Sequence, residues 1–179
     1  MGPHIRRSGV LSIGAVVIDP SNHDILWAGT GEGNPRNSQT SGAGIFRSLD
    51  AGQHWQRMGL EDTWTIHRVV VDPSDSEIIY AGAHGSAWTP NNERGVFKTS
   101  DGGSSWKKIL FVNDTTGCAD LVMDPSNPKR LLAAMYHYER KPFHFHSGGK
   151  GSGLHITLDG GDTWTKLTDK HGLPEGEWG

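Results

Sequence analysis

At 179 residues, with 34% hydrophobic and 21% charged side chains and a formal net charge of -3, the chain is long enough for one ordinary domain with a real core. Well-mixed charge with no basic stripe excludes a nucleic-acid or anionic-membrane binder of the electrostatic kind, and no apolar run is long enough for a spanning helix. Cys118 is the only cysteine, so no intrachain disulfide is possible, while 25 glycines and seven tryptophans suit an all-β chain with many tight turns.

Residues 1–7 carry basic groups without a following apolar stretch of signal-peptide length, and are predicted to be a disordered tail ahead of one segment over 8–179. The first unit then reads as four short strands at 14–18, 25–30, 44–47 and 54–58. The second gives strands at 66–71, 77–82, 95–99 and 105–109, and the third at 118–123, 131–135, 153–157 and 163–167.

Two signatures recur in step with these strands. Val17-Ile18-Asp19-Pro20, Val71-Asp72-Pro73 and Val122-Met123-Asp124-Pro125 each end a first strand in a turn, with proline fixing φ. A second pattern, hydroxyl-x-Asp-x-Gly-x-x-Trp, links the third and fourth strands. Its copies are Ser48, Asp50, Gly52 and Trp55; Thr99, Asp101, Gly103 and Trp106; and Thr157, Asp159, Gly161 and Trp164.

Self-similarity at a period near fifty marks a propeller or a solenoid. Four antiparallel strands per unit favour propeller blades, at about 10–60, 61–112 and 113–170, because a lone four-stranded sheet covers its faces only by stacking on neighbours. The predicted fold is therefore all-β, a partial propeller of three four-stranded blades. The box residues have a structural job in this reading. Glycine takes positive φ, aspartate accepts turn N–H groups, and tryptophan wedges between blades.

Strand alternation places the long loops 31–43, 83–94 and 136–152 on one face, together with the connections 59–65 and 113–117. Long loops converging on one mouth are where β scaffolds carry binding residues. The candidate ligand-binding residues there are Asn34, Arg36, Asn37, Trp64, His84, Trp88, Arg94, Tyr136 and Arg140, whose mixture of rings and polar groups suits a carbohydrate or a peptide. Glu32, Glu61, Asp62 and Glu93 share the face and are the conditional catalytic candidates, since a glycosidase needs two facing carboxylates. His137, His144 and His146 are weak metal candidates, with His84 or Glu139 completing a set. The bland reading of a metal-free surface cluster is preferred, and no cofactor is expected. No nucleophile-elbow or phosphate-loop context is present.

The boxes resemble the Asp-box, or BNR, repeats of sialidases, sortilin-type propellers and xyloglucanase-like glycoside hydrolases. The runs at 29–38, 58–63 and 117–125 are similar to a group of long, usually exported bacterial proteins described as sortilin-like or glycosyl hydrolase BNR-repeat proteins. The resemblance covers about residues 8–178. It implies a propeller, a secreted or periplasmic bacterial setting, and a binding or scaffolding module as the first reading. A glycoside hydrolase, or part of one, is the alternative. Closed propellers use about four to eight blades. Three blades are therefore expected either to self-associate into a dimer or to be completed by blades of a longer parent chain.

Overall fold

The computed structural model describes residues 12–34 and 39–174 and contains three antiparallel sheets. The first runs in the order β1 (Ile13–Ile18), β2 (Leu26–Thr30), β3 (Ile45–Ser48), β4 (Gln56–Arg57). The second repeats it with β5 (Ile66–Asp72), β6 (Asp75–Ala83), β7 (Gly95–Thr99) and β8 (Lys107–Leu110). The third is built from β9 (Thr116–Asp124), β10 (Asn127–Lys141), β12 (Gly153–Thr157) and β13 (Thr165–Lys166), with β11 (His144–Ser147) added along the far half of β10.

All twelve anticipated strands are present. The outer ones are shorter than the pattern suggests: Gln56–Arg57 rather than 54–58, and Thr165–Lys166 rather than 163–167. The box turn takes up their first residues. The larger difference is β10, predicted as 131–135 but spanning Asn127–Lys141. Its C-terminal half forms a hairpin with β11 where the sequence reads as a long loop.

The boxes explain how each outer strand is launched. In the second, Thr99 Oγ1 donates to Asp101 Oδ1 at 2.6 Å and accepts the Gly103 N–H at 3.0 Å. Asp101 Oδ1 also accepts the Ser105 N–H at 2.9 Å. Ser48 and Asp50, and Thr157 and Asp159, repeat the arrangement. Gly52, Gly103 and Gly161 all lie at positive φ, between 88° and 97°, where a side chain costs energy. Hydrogen bonding from Ser105 and Thr99 holds the Asp101 carboxyl down at about 2, so the turn acceptor stays charged.

The sheets stack face on face through two cores. Trp27, Ile45 and Met58 of the first sheet pack on Val69, Val71, Ile79, Ala81 and Phe97 of the second. The next junction joins Tyr80, Val96 and Leu110 to Leu121, Leu131, Ala133 and Met135. Each later box tryptophan reaches back onto the preceding blade. Trp106 meets Trp27 edge-on at 6.4 Å and donates its indole N–H to the Met58 carbonyl at 2.7 Å. Trp164 packs on the second core.

Candidate functional site

The long connections 31–44, 58–65, 84–94 and 111–115 all leave one end of the stacked sheets, and the β10–β11 hairpin rises from that same end. Its two faces differ because strand residues alternate. Tyr138 and Arg140 pair with Ser147 and Phe145, while Glu139 and Lys141 pair with His146 and His144.

The inward face rests on the second blade. His84, at the end of β6, has its ring 4.6 Å from Tyr138 and 6.0 Å from His67 on β5. Tyr138 stacks with Tyr136 at 6.0 Å and meets Phe145 edge-on at the same distance. Its hydroxyl donates to Gln39 Oε1 of the first blade's loop at 2.6 Å. Gln39 in turn holds the Glu32 and Asn34 carbonyls. One hairpin of the third blade is thereby tied to the first. Burial pushes the Tyr138 hydroxyl up to about 12.

Two residues expected to face a ligand are instead interior. Arg94 is 0% exposed and His84 2%. The Arg94 guanidinium donates to the His84 carbonyl at 3.2 Å, to Thr115 at 3.1 Å, to Thr89 at 3.4 Å and to Ser86. It knits the 84–94 loop to the next connection, and a planar fork with five donors suits that task. His84 is covered by the hairpin, and neither ring nitrogen has a well-formed partner. Burial first, then His67 and Arg94, push it down to about 3, so the ring is neutral. Neither side chain is placed to contact a ligand, and both support the loop face instead.

Other candidates do meet solvent. Trp64 is 42% and Trp88 39% exposed. Trp64 has φ 63° and ψ -49°, and the Thr65 N–H closes back on the Thr63 carbonyl at 2.7 Å. A bulky residue at positive φ is a strained conformation that persists only where its surroundings impose it. Here the Trp64 carbonyl accepts the Gly42 N–H at 2.6 Å, pinning the turn to the neighbouring loop.

Glu61 and Asp62 lie exposed on the single helical turn just before Trp64, and the Asp62 carbonyl accepts from Asn91 Nδ2 at 3.1 Å. Glu93 points away to Lys108 on the outer strand, 3.5 Å off, and does not join them. Glu32 is half-buried and Asn34 exposed. Tyr136, hydrogen-bonded to Ser147, and Arg140, 5.3 Å over Phe145, are half-buried in the hairpin. Arg36 and Asn37 lie outside the described residues.

On the hairpin's outward face His137 and His146 approach with ring centroids 4.6 Å apart, and His144 follows at 6.2 Å from His146. Glu139 is engaged by Lys141 at 2.8 Å, which holds its carboxyl below the usual range. Among the described residues no group of three His, Cys, Asp or Glu is arranged to hold a metal ion. His84 sits on the opposite side of the hairpin and completes no set with them. His67, Gln39 and Tyr138 belong to the site's support but escape a reading by residue type. The alternation of Phe143, His144, Phe145 and His146 was the available signal for the hairpin that gathers them.

Residues 43–175 match the sequence model of the family described as sortilin, neurotensin receptor 3. A xyloglucanase of a Paenibacillus species is 31% identical over 124 residues, covering 64% of this chain and 11% of its own length. A xyloglucanase of Hypocrea jecorina is 30% identical over 147 residues, covering 73% and 16%. The chain thus spans less than a fifth of the curated relatives it matches. The crystal structure of a GH74 xyloglucanase from Xanthomonas campestris superposes with a TM-score of 0.62 at 18% identity, over 98% of this chain and 25% of that one. That likeness establishes the fold. No helix among the described residues is long and apolar enough to cross a membrane.

Proposed function

This chain belongs to the sortilin family of Asp-box propellers, and on that premise we propose that it is a carbohydrate-binding segment of a xyloglucanase-like protein, gripping a glucan chain on its long-loop face. The observation that carries the reading is Trp64. Its ring stands in solvent on a backbone conformation held at a cost of about 1–3 kcal/mol. An indole face stacks on the apolar face of a sugar ring, while neighbouring polar groups orient hydroxyls. Trp88 offers a second ring on the adjacent loop, and Glu61 and Asp62 offer acceptors beside the first. The relatives named xyloglucanase supply the substrate class.

Titration calorimetry with xyloglucan oligosaccharides is expected to show binding. Trp64→Ala and Trp88→Ala should each weaken it about tenfold, a loss of roughly 1.4 kcal/mol. Unchanged affinity in both variants, or a blank against glucans with capture of peptides, would overturn the assignment.

A hydrolase is the second reading, favoured by the same named relatives. It would need Glu61 or Asp62 to face another carboxylate such as Glu32 across the sugar. Release of reducing sugar that disappears in Glu61→Gln and Asp62→Asn would support it. Binding without release would leave the segment a binding module.

A further inference from the structure

Between Ala83, where β6 ends, and Gly95, where β7 begins, the chain leaves the second sheet and returns to it. The first part of this connection is not a surface loop. His84, Ser86 and Ala87 are buried, while Trp88, Thr89 and Pro90 emerge together. Buried backbone needs partners for its polar groups, and here one side chain satisfies three of the loop's carbonyls.

That side chain is Arg94, at the loop's far end. Its Nη1 donates to the His84 and Thr115 carbonyls, and its Nη2 to those of Ser86 and Thr89. The terminal N–H groups of the guanidinium thus all meet backbone oxygens, and none is left to turn towards a ligand. The Ser86 and Thr89 carbonyls bracket Trp88. Gly85, at φ 84°, lets the loop close on the arginine, because a Cβ there would come 2.4 Å from Arg94 Cγ.

The same loop is also held from outside. The Arg140 N–H of the hairpin donates to the Ala87 carbonyl at 2.8 Å, and the Trp88 N–H donates to Ser86 Oγ at 3.2 Å. Asn91 then joins the loop to its neighbours. Its N–H donates to the Asp114 carbonyl at 2.9 Å, and its Nδ2 to the Asp62 carbonyl at 3.1 Å, on the turn that carries Trp64. Trp88 is therefore an exposed ring on a loop fixed on both sides of it, and that ordering exists before any ligand arrives.

We propose that Arg94 is a positioning residue of the glucan-binding face, one that sets the pose of Trp88, while Asn91 sets the place of that ring relative to Trp64. The inference rests on the carbohydrate reading above and narrows it to an oligosaccharide long enough to lie on both loops. Lysine is no substitute for the arginine, because a single ammonium nitrogen does not span carbonyls spread over two connections.

Titration calorimetry with xyloglucan oligosaccharides, run as a double-mutant cycle, tests the proposal. Trp88→Ala and Arg94→Lys are each expected to weaken binding about tenfold, and the double variant no further, because Arg94 acts through the ring. Unchanged affinity in Arg94→Lys, or losses that multiply in the double variant, overturns the proposal and leaves the carbohydrate reading standing. A wild-type chain that binds no glucan overturns that reading instead, and the pose is then judged without ligand. In chain labelled with fluorotryptophan, the Trp88 fluorine resonance, assigned by its loss in Trp88→Phe, is expected to shift and broaden in Arg94→Lys. The resonance of buried Trp27 should stay in place and report that the variant is folded. A Trp88 resonance that does not move overturns the proposal. Asn91→Ala leaves the guanidinium contacts and the core untouched, so it carries the test if Arg94→Lys does not fold. It is expected to weaken binding about threefold and to shift the Trp64 resonance. Neither change appearing overturns the proposed link between the rings.

Discussion

Replacing Trp27 with alanine is expected to destabilise the fold by about 3–5 kcal/mol, a large part of the 5–15 kcal/mol that holds a typical domain. Trp27 is fully buried at the junction of the first two blades, among Ile45, Met58, Ile79 and Phe97. The Trp106 ring meets it edge-on, and the Arg47 guanidinium lies over its face. Gly103 makes room for the rim of the indole, since a Cβ there would sit 2.9 Å from the ring. Truncation leaves a hole that the neighbouring turn, fixed by its own box hydrogen bonds, is poorly placed to fill. Thermal unfolding should shift down by about 10 °C. Trp27→Phe should cost much less, because the buried indole N–H has no partner to lose. Leu158→Ala, at an exposed box position, serves as the unaffected control. A Trp27→Ala shift no larger than that control would mean the blade junction is not what holds the fold.

Mild acid should weaken the fold through a buried imidazole. His84 is neutral when folded, pushed down to about 3 by burial, by His67 and then by Arg94, against an ordinary value of 6.5. The backbone of Cys118 pulls weakly the other way and does not offset this. The unfolded chain takes up the proton below 6.5 while the folded chain refuses it, so stability falls as pH drops from 6.5 towards 3. One such group gives a slope of about 1.4 kcal/mol per pH unit. Burial likewise holds His67 below its ordinary value, which adds to the trend. Urea unfolding across that window should show the loss, and His84→Phe should remove about one proton from the slope. An unchanged slope in His84→Phe would show that the ring is not the buried neutral group described above.

Much of this was legible in the chain. The box residues announced their turns because each has a distinct backbone duty: hydroxyl to amide, carboxylate to amide, glycine to positive φ. The Asp-Pro pairs fixed the frame between inner strands, and strand alternation then put every long loop at one end. What stayed hidden depended on contacts between loops. Arg94 and His84 carry the composition of a surface, and nothing local says that loop carbonyls will enclose the one and a later hairpin cover the other. The hairpin itself was written in alternating residues at 143–146, within the stretch 136–152 that reads as one long loop. Trp64 was identified by type and place. Its positive φ, the most informative fact about it, comes from the loop that captures its carbonyl.

The hydrogen bond from Tyr138 to Gln39 spans 99 residues and changes how the array behaves in time. Blades that touch only their neighbours can detach one at a time from an end, like beads leaving a string. A tie from the last blade to the first turns the string into a closed circuit. Forming it confines the intervening chain at an entropic cost that grows only with the logarithm of its length. Release of either outer blade must therefore break this tie as well as the contacts with its neighbour.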